Sequence, residues 1–407
     1  MKIALYCREL RFSGGRSVAL GIIDALSHMG MKHQYIVFTP DDPLYSALEA
    51  NNVKILPSQM RGGLFHMLAH SSLHKELAEE QPEILFMMGN LGYRNSPCKQ
   101  AVLVHNSWIL CQDPRVWATL PVQERIYYRL RRALQAKSIK RCDMIFTQTP
   151  VMVNSLHNQL CIPYSRLGLL PNSTTGTLRE RAPVPTELFK KTSNEHTFKA
   201  ITISRYFQHK NLDVLLTVAD ELIKKNRTDI GLYTTVVTSH GDQAKRFISN
   251  IRYYKRDQVL HNLGEIPVNK VPNIYSSSDA MLLPTLLESF SGCYTDAMSG
   301  GIPVITSDRD FARVVCGDAA CYINPFSGIE IADQLIRLAD NNDLRAELVQ
   351  QGREQQRLFS FSWDAIAIKL MSQLESLAGN CTQPDILEHP WMKWWQNYQS
   401  EHELPTT

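Results

Sequence analysis

The sequence predicts an α/β protein built from two doubly wound parallel sheets, and three observations lead there. At 407 residues the chain exceeds what one hydrophobic core usually supports, so two domains are expected. Short apolar runs alternate with stretches of helical period through both halves, as in parallel sheets whose strands are joined by helices. Between the halves, residues 173–197 are polar and aperiodic, carry Pro183 and Pro185, and read as a linker. The expected domains are therefore 1–172 and 198–378, with a tail at 379–407.

Composition bounds the function classes. Hydrophobic residues make up 44% and charged residues 20%, ordinary for a soluble globular protein. A net charge of +3 is too small to argue for a nucleic-acid partner. No charged-then-apolar leader opens the sequence and no run reaches the length of a membrane span. Nine cysteines occur without CxxC spacing, which suggests reduced thiols. A cytoplasmic location is expected.

In the first half, residues 2–7 read as a strand, 8–16 as a loop holding Gly14 and Gly15, and 17–29 as a helix with Val18, Ile22, Ala25 and Leu26 on one face. Strand, Gly-Gly loop and helix can admit a phosphate, because glycine lets a ligand approach the backbone. A plain tight turn is the alternative, and a GxGxxG fingerprint is absent. Further strands are expected at 34–38, 53–56, 84–88 and 101–105. His105 ends the last of these, at the carboxyl edge where such sheets place chemistry; a structural histidine is the alternative. Residues 121–141 read as a helix rich in base: Arg125, Arg129, Arg131, Arg132, Lys137, Lys140 and Arg141 against Glu124. No clean apolar face is evident on it. Its two readings are a solvated surface and contact with an anionic membrane. Strands at 143–147 and 167–170, with a helix at 149–160 between them, complete the half.

The second half opens with a strand at 198–204. Arg205 and Lys210 follow in the loop, before a helix from 211 expected to bury Leu215, Leu216, Ala219 and Leu222. Two cations at this sheet edge suit a phosphate, Arg as a bidentate fork and Lys as a point charge, with plain surface charge as the alternative. A strand at 259–263 leads into Gly264-Glu265-Ile266-Pro267 and a helix at 269–277. Next come a strand at 280–283, a loop with Glu288, a helix from about 290 to Gly300-Gly301, and a strand at 302–305. Ser289, Ser291 and Gly292 are small and leave first-turn N–H groups uncovered for a phosphate. Glu288 and Asp296 would repel that phosphate, so they are expected to face sugar hydroxyls, for which ionised carboxylates are acceptors; an ordinary Ser-capped helix with two solvated acids is the alternative. Asp308-Arg309-Asp310 spells a metal-binding DxD pattern but is expected to cap the helix toward Val315. A last strand falls at 319–323, with helical segments over 329–377. Trp391, Trp394 and Trp395 are expected to pack a tail helix rather than to anchor on a membrane.

The stretch from Pro284 to Ser307 resembles the signature of glycosyltransferase family 4, retaining enzymes of the GT-B fold. Their pattern is Glu, seven residues, Glu, then Ala-Met-x-x-Gly-x-Pro-Val. The match holds at Pro284, Glu288, Phe290, Ala297-Met298, Gly301, Pro303-Val304 and Ser307. It departs at Asp296, where the family has Glu, and at Ser289 and Ser291, where many members carry Gly. The resemblance implies transfer of a hexose from a UDP- or GDP-sugar to a glycan or lipid-linked hydroxyl acceptor, in polysaccharide, O-antigen or glycolipid assembly, with no metal required. It implies that Arg205, Lys210, Ser291 and Gly292 hold the diphosphate, Gly15 lines the donor side, and Ile266 meets the base. Glu288 and His105 would orient the hexose and Asp296 the ribose. It also implies a ligand cleft between two Rossmann-like halves and a tail helix over 379–407 that crosses back to the first. A sugar-nucleotide 2-epimerase and a non-catalytic sugar-nucleotide-binding protein are the rival readings.

Overall fold

The computed structural model describes residues 1–11, 13–30, 32–58, 71–173, 197–253, 255–359, 362–379 and 385–404. The linker, with Pro183 and Pro185, lies outside the described residues apart from its first and last positions. Two compact units emerge. One comprises Met1–Asp113, Pro121–Ser173 and Phe361–Thr407, the other Pro114–Leu120 and Thr174–Ser360.

The first unit contains β1 (Lys2–Tyr6), β2 (Gln34–Pro40), β3 (Val53–Ser58), β4 (Ile84–Met87), β5 (Lys99–Val104), β6 (Met144–Thr147) and β7 (Leu167–Leu169). They form one parallel sheet in the order β3-β2-β1-β4-β5-β6-β7. All four residues of β4 and of β6 are buried, as expected for strands covered on both faces. Chain order reverses between β1 and β4, which makes their carboxyl ends the switch point of this sheet.

Helix α1 (Ser13–His28) follows β1. It starts before the expected position 17, so Gly14 and Gly15 belong to its first turn rather than to a loop. Glycine's poor helix propensity masks that start in the sequence. Packing explains it: a Cβ on Gly15 would lie 3.1 Å from Leu10 Cδ2 and 3.2 Å from His105 Nε2. The basic helix is α2 (Val122–Ile139).

The second unit contains β8 (Phe198–Thr202), β9 (Ile230–Thr234), β10 (Leu260–Asn262), β11 (Ala280–Leu283), β12 (Val304–Ser307) and β13 (Ala320–Ile323). Their order, β10-β9-β8-β11-β12-β13, is the 3-2-1-4-5-6 arrangement of a dinucleotide-binding sheet, and every pairing is parallel. The sequence reading names no strand at β9, where Gly231 interrupts a short apolar run. Helix α3 (Val214–Lys224) buries Leu215, Val218, Ala219 and Leu222; Leu216 is only partly buried, and Val218 takes the expected inward place. Helix α4 (Gly292–Gly300) ends at Gly301, whose φ of 71° supplies the left-handed C-cap. Helix α5 (Asp310–Cys316) follows β12.

The helix α6 (Trp363–Leu377) corrects the expected boundary at 378. Its Ile366, Ala367, Leu370, Met371 and Leu374 join the core around α1 and β1, and the Trp363 ring lies against Gly21. The chain thus returns to the first unit from residue 361, before the tail begins. In α7 (Pro390–Glu401), Trp391 and Trp395 are buried and Trp394 stacks on Tyr398 at 5.0 Å. Packing accounts for these tryptophans.

Candidate functional site

At the carboxyl edge of the second sheet, the loop after β8 carries Arg205 and Lys210 onto the loop after β11. Asn211 makes the turn in the left-handed region, at φ 55°, and its amide donates to the carbonyls of Pro284 (3.2 Å) and Pro325 (2.6 Å). The His209 carbonyl accepts from the Leu286 N–H at 2.7 Å and from the Thr285 hydroxyl at 3.1 Å. These bonds fix Lys210 beside Glu288, Nζ to Oε1 at 2.5 Å, with the side chains 17% and 11% exposed. The single Thr285 hydroxyl proton is shared between the His209 carbonyl and that carboxylate oxygen, the latter at 3.0 Å. Burial pulls the Lys210 ammonium down, but Glu288 more than offsets it and holds the group above its ordinary value. His209 is driven down to about 4 by burial and then by Lys210, with Glu288 opposing, so its ring is neutral.

Arg205 is exposed, its guanidinium 5.9 Å from the Phe207 ring centroid. The backbone N–H of the next residue, Tyr206, donates to His240 Nδ1 at 3.2 Å, and the Tyr206 hydroxyl donates to Asp213 at 2.5 Å. Helix α4 begins nearby. Ser291 is its N-cap residue, yet the serine side chain makes no capping bond to the helix. The first-turn amides therefore lack the side-chain acceptor that normally covers them. Cys293, in that turn, has its thiol 3.5 Å from the Ile203 carbonyl. Burial pushes the thiol up while Lys210 pulls it down, so it is not a thiolate nucleophile. Asp296 is 6% exposed and acts electrostatically on both Tyr275 and Cys293. Ile266 is half-buried in the loop after β10.

The first unit carries its own cluster at the switch point. The His105 N–H donates to Asn90 Oδ1 at 2.6 Å, and the imidazole rests against Gly15. Burial alone drives this ring down to about 4, so it is a neutral hydrogen-bonding group.

Residues 184–355, which hold the whole of the second site, match the family model described as glycosyl transferases group 1. This segment is a group 1 glycosyltransferase domain. Among curated proteins the chain is similar to the O-antigen chain mannosyltransferase RfbU of Salmonella typhimurium, 22% identical over 50% of this chain and 52% of that protein. It is also similar to the phosphatidyl-myo-inositol mannosyltransferase of Mycobacterium tuberculosis, 27% identical over 44% of this chain and 47% of that protein. The chain spans about half the length of the curated relatives it matches. Among solved structures it resembles Anabaena HepE in complex with UDP and glucose, with a TM-score of 0.67 at 13% identity, covering 92% of this chain and 100% of that one. That likeness shows the fold, which is GT-B.

Within the glycosyltransferase domain the structure brings Lys210, Glu288, Ser291 and Gly292 to one edge. Lys210 and Glu288, assigned from the sequence to different parts of a donor, meet as an ion pair. Asp308 pairs with Arg313 at 2.5 Å. Arg309, rather than Asp308, is the N-cap residue of α5, and the Asp310 carboxylate accepts from the Phe311 N–H at 2.7 Å within the first turn. The DxD stretch thus opens α5, though its N-cap residue makes no side-chain capping bond. Sequence reading missed Thr285, His209, Asn211 and His240. Adjacency to Lys210 was the signal for His209, and the Lys-Asn step at this loop was the signal for Asn211.

Proposed function

We propose that the chain is a retaining hexosyltransferase that takes its sugar from a nucleoside diphosphate donor. The observation that carries this is the Lys210–Glu288 pair beside the uncapped start of α4, inside the glycosyltransferase domain. The reaction needs negative charge stabilised on a departing diphosphate, and groups aimed at developing charge are the largest single source of rate. Arg205, Lys210 and the first-turn amides of α4 supply that stabilisation, and no metal is required. Glu288 accepts hydrogen bonds from hexose hydroxyls, and Asp296 holds the ribose. The bond from sugar to phosphate loosens, the acceptor hydroxyl attacks on the same face, and its proton passes to the leaving phosphate oxygen.

Mannose is the favoured sugar, since both curated relatives named above are mannosyltransferases. The acceptor is a glycan or a lipid-linked glycan. Helix α2 supports an encounter with an anionic membrane surface: Val122, Ile126 and Leu130 are 67%, 57% and 60% exposed at helical i, i+4 and i+8 positions, beside the exposed Arg129. No helix among the described residues is long and apolar enough to cross a membrane.

The test is incubation of the full chain with GDP-mannose and octyl α-D-mannopyranoside in EDTA, read by proton NMR. An α-linked product is expected. A β-linked product, or activity lost in EDTA and restored by magnesium or manganese, overturns the mechanism.

A further inference from the structure

Glu9 is the charged group at the switch point of the first sheet that neither the sequence motifs nor the family segment accounts for. It follows β1, and its Oε2 lies 2.6 Å from where a Cβ on Gly89 would sit, so the carboxylate lies over the glycine two positions after β4. The next residue, Asn90, turns at φ 67° and holds the His105 N–H, while the His105 ring rests on Gly15. Glu9, Asn90, His105 and Gly15 thus gather at the carboxyl ends of β1, β4 and β5, where open sheets of this type bind ligands. The neighbouring Arg8 is already engaged in a two-bond pair with Glu76, at 2.7 and 2.9 Å.

We propose that the half-buried Glu9 carboxylate is a specificity-determining residue, accepting a hydrogen bond from a hydroxyl of the acceptor sugar. This rests on the function proposed above. It involves binding only; the reacting proton still leaves with the phosphate. The charged and titratable groups that face Glu9 are Tyr6 from β1, Cys7 just after that strand and Arg131 from α2. Burial raises Glu9 to about 7, with Arg131 opposing, so it gains its proton just below neutrality and loses its strength as an acceptor.

A carboxyl raised in the folded state stabilises the fold fully below its unfolded value, and that contribution is lost as pH rises through about 7. Glu9→Gln removes the burdened charge, so at pH 8 the variant is expected to melt no lower than wild type. With GDP-mannose and octyl α-D-mannopyranoside, Glu9→Gln should raise the KM for the mannoside by roughly 10–100-fold, the scale of a hydrogen bond to a charged group. The KM for GDP-mannose should stay unchanged, and the acid limb near pH 7 should disappear. Arg131→Gln should move that limb upward, because the opposing cation is gone. Wild-type mannoside KM and pH profile in Glu9→Gln, or an unmoved limb in Arg131→Gln, overturns the role of Glu9 alone. A wild-type protein that neither binds nor consumes GDP-mannose overturns the proposed function and this role with it.

Discussion

Replacing Lys210 with Met removes the ammonium while keeping most of the stem's volume, and it leaves Glu288 in a site where only 11% of its side chain is exposed. Breaking a buried pair from one side costs about 3–5 kcal/mol, because the remaining charge loses its partner. The Thr285 hydroxyl still donates to Glu288 at 3.0 Å, which places the cost at the lower end, about 3 kcal/mol. For a unit of this size each kcal/mol moves Tm by roughly 2–4 °C, so the transition of the second unit should fall by about 6–12 °C. Turnover, assayed well below the variant's transition, should fall by roughly 10²–10³-fold, the scale for losing one donor aimed at transition-state charge. The double variant Lys210→Met/Glu288→Gln leaves no unpaired charge, so it should regain much of the lost stability and none of the activity. Near-wild-type kcat in Lys210→Met would refute the diphosphate role. An unchanged Tm would refute the reading of the pair as buried and coupled.

Asp296→Ala should raise the donor KM more than it lowers kcat, because a ribose contact is present equally in ground and transition states; Glu288→Ala should do the reverse, and steady-state kinetics on one donor separates them. His105 is held down to about 4 by burial against an unfolded value near 6.5, so its stabilising contribution is full above pH 6.5 and lost as pH falls toward 4. Melting curves between pH 7 and pH 4.5 should therefore flatten in His105→Asn. Wild-type protein should sediment with phosphatidylglycerol vesicles at low salt and be released at high salt, and Ile126→Ser/Leu130→Ser should weaken that binding by more than tenfold; protein that stays in the supernatant at low salt refutes the membrane encounter.

Much of both sheets was legible because strands buried on two faces read as unbroken apolar runs, as at Ile84–Met87 and Ala280–Leu283. What escaped depends on packing between distant positions. Helix α1 starts at two glycines that a helix scale rejects, and only the nearby Leu10 and His105 explain why position 15 bears no side chain. Helix α6 follows a continuous helical stretch of the second half, yet its apolar face matches α1, more than three hundred residues earlier. At the site, Lys210 and Glu288 were each found by motif, but 78 positions separate them and no local pattern announces their contact. Glu9 lies outside every motif, and its surroundings exist only once β1 and β4 are neighbours.

The central claim is that Arg205, Lys210 and the start of α4 hold a nucleotide-sugar diphosphate. Calorimetric titration of GDP-mannose into wild type and Arg205→Ala in EDTA tests it most directly. The account predicts one site in wild type and at least tenfold weaker binding in the variant, the effect of losing a charge-assisted hydrogen bond. Equal affinity in the two proteins, or no binding of GDP-mannose or UDP-glucose to wild type, would contradict it.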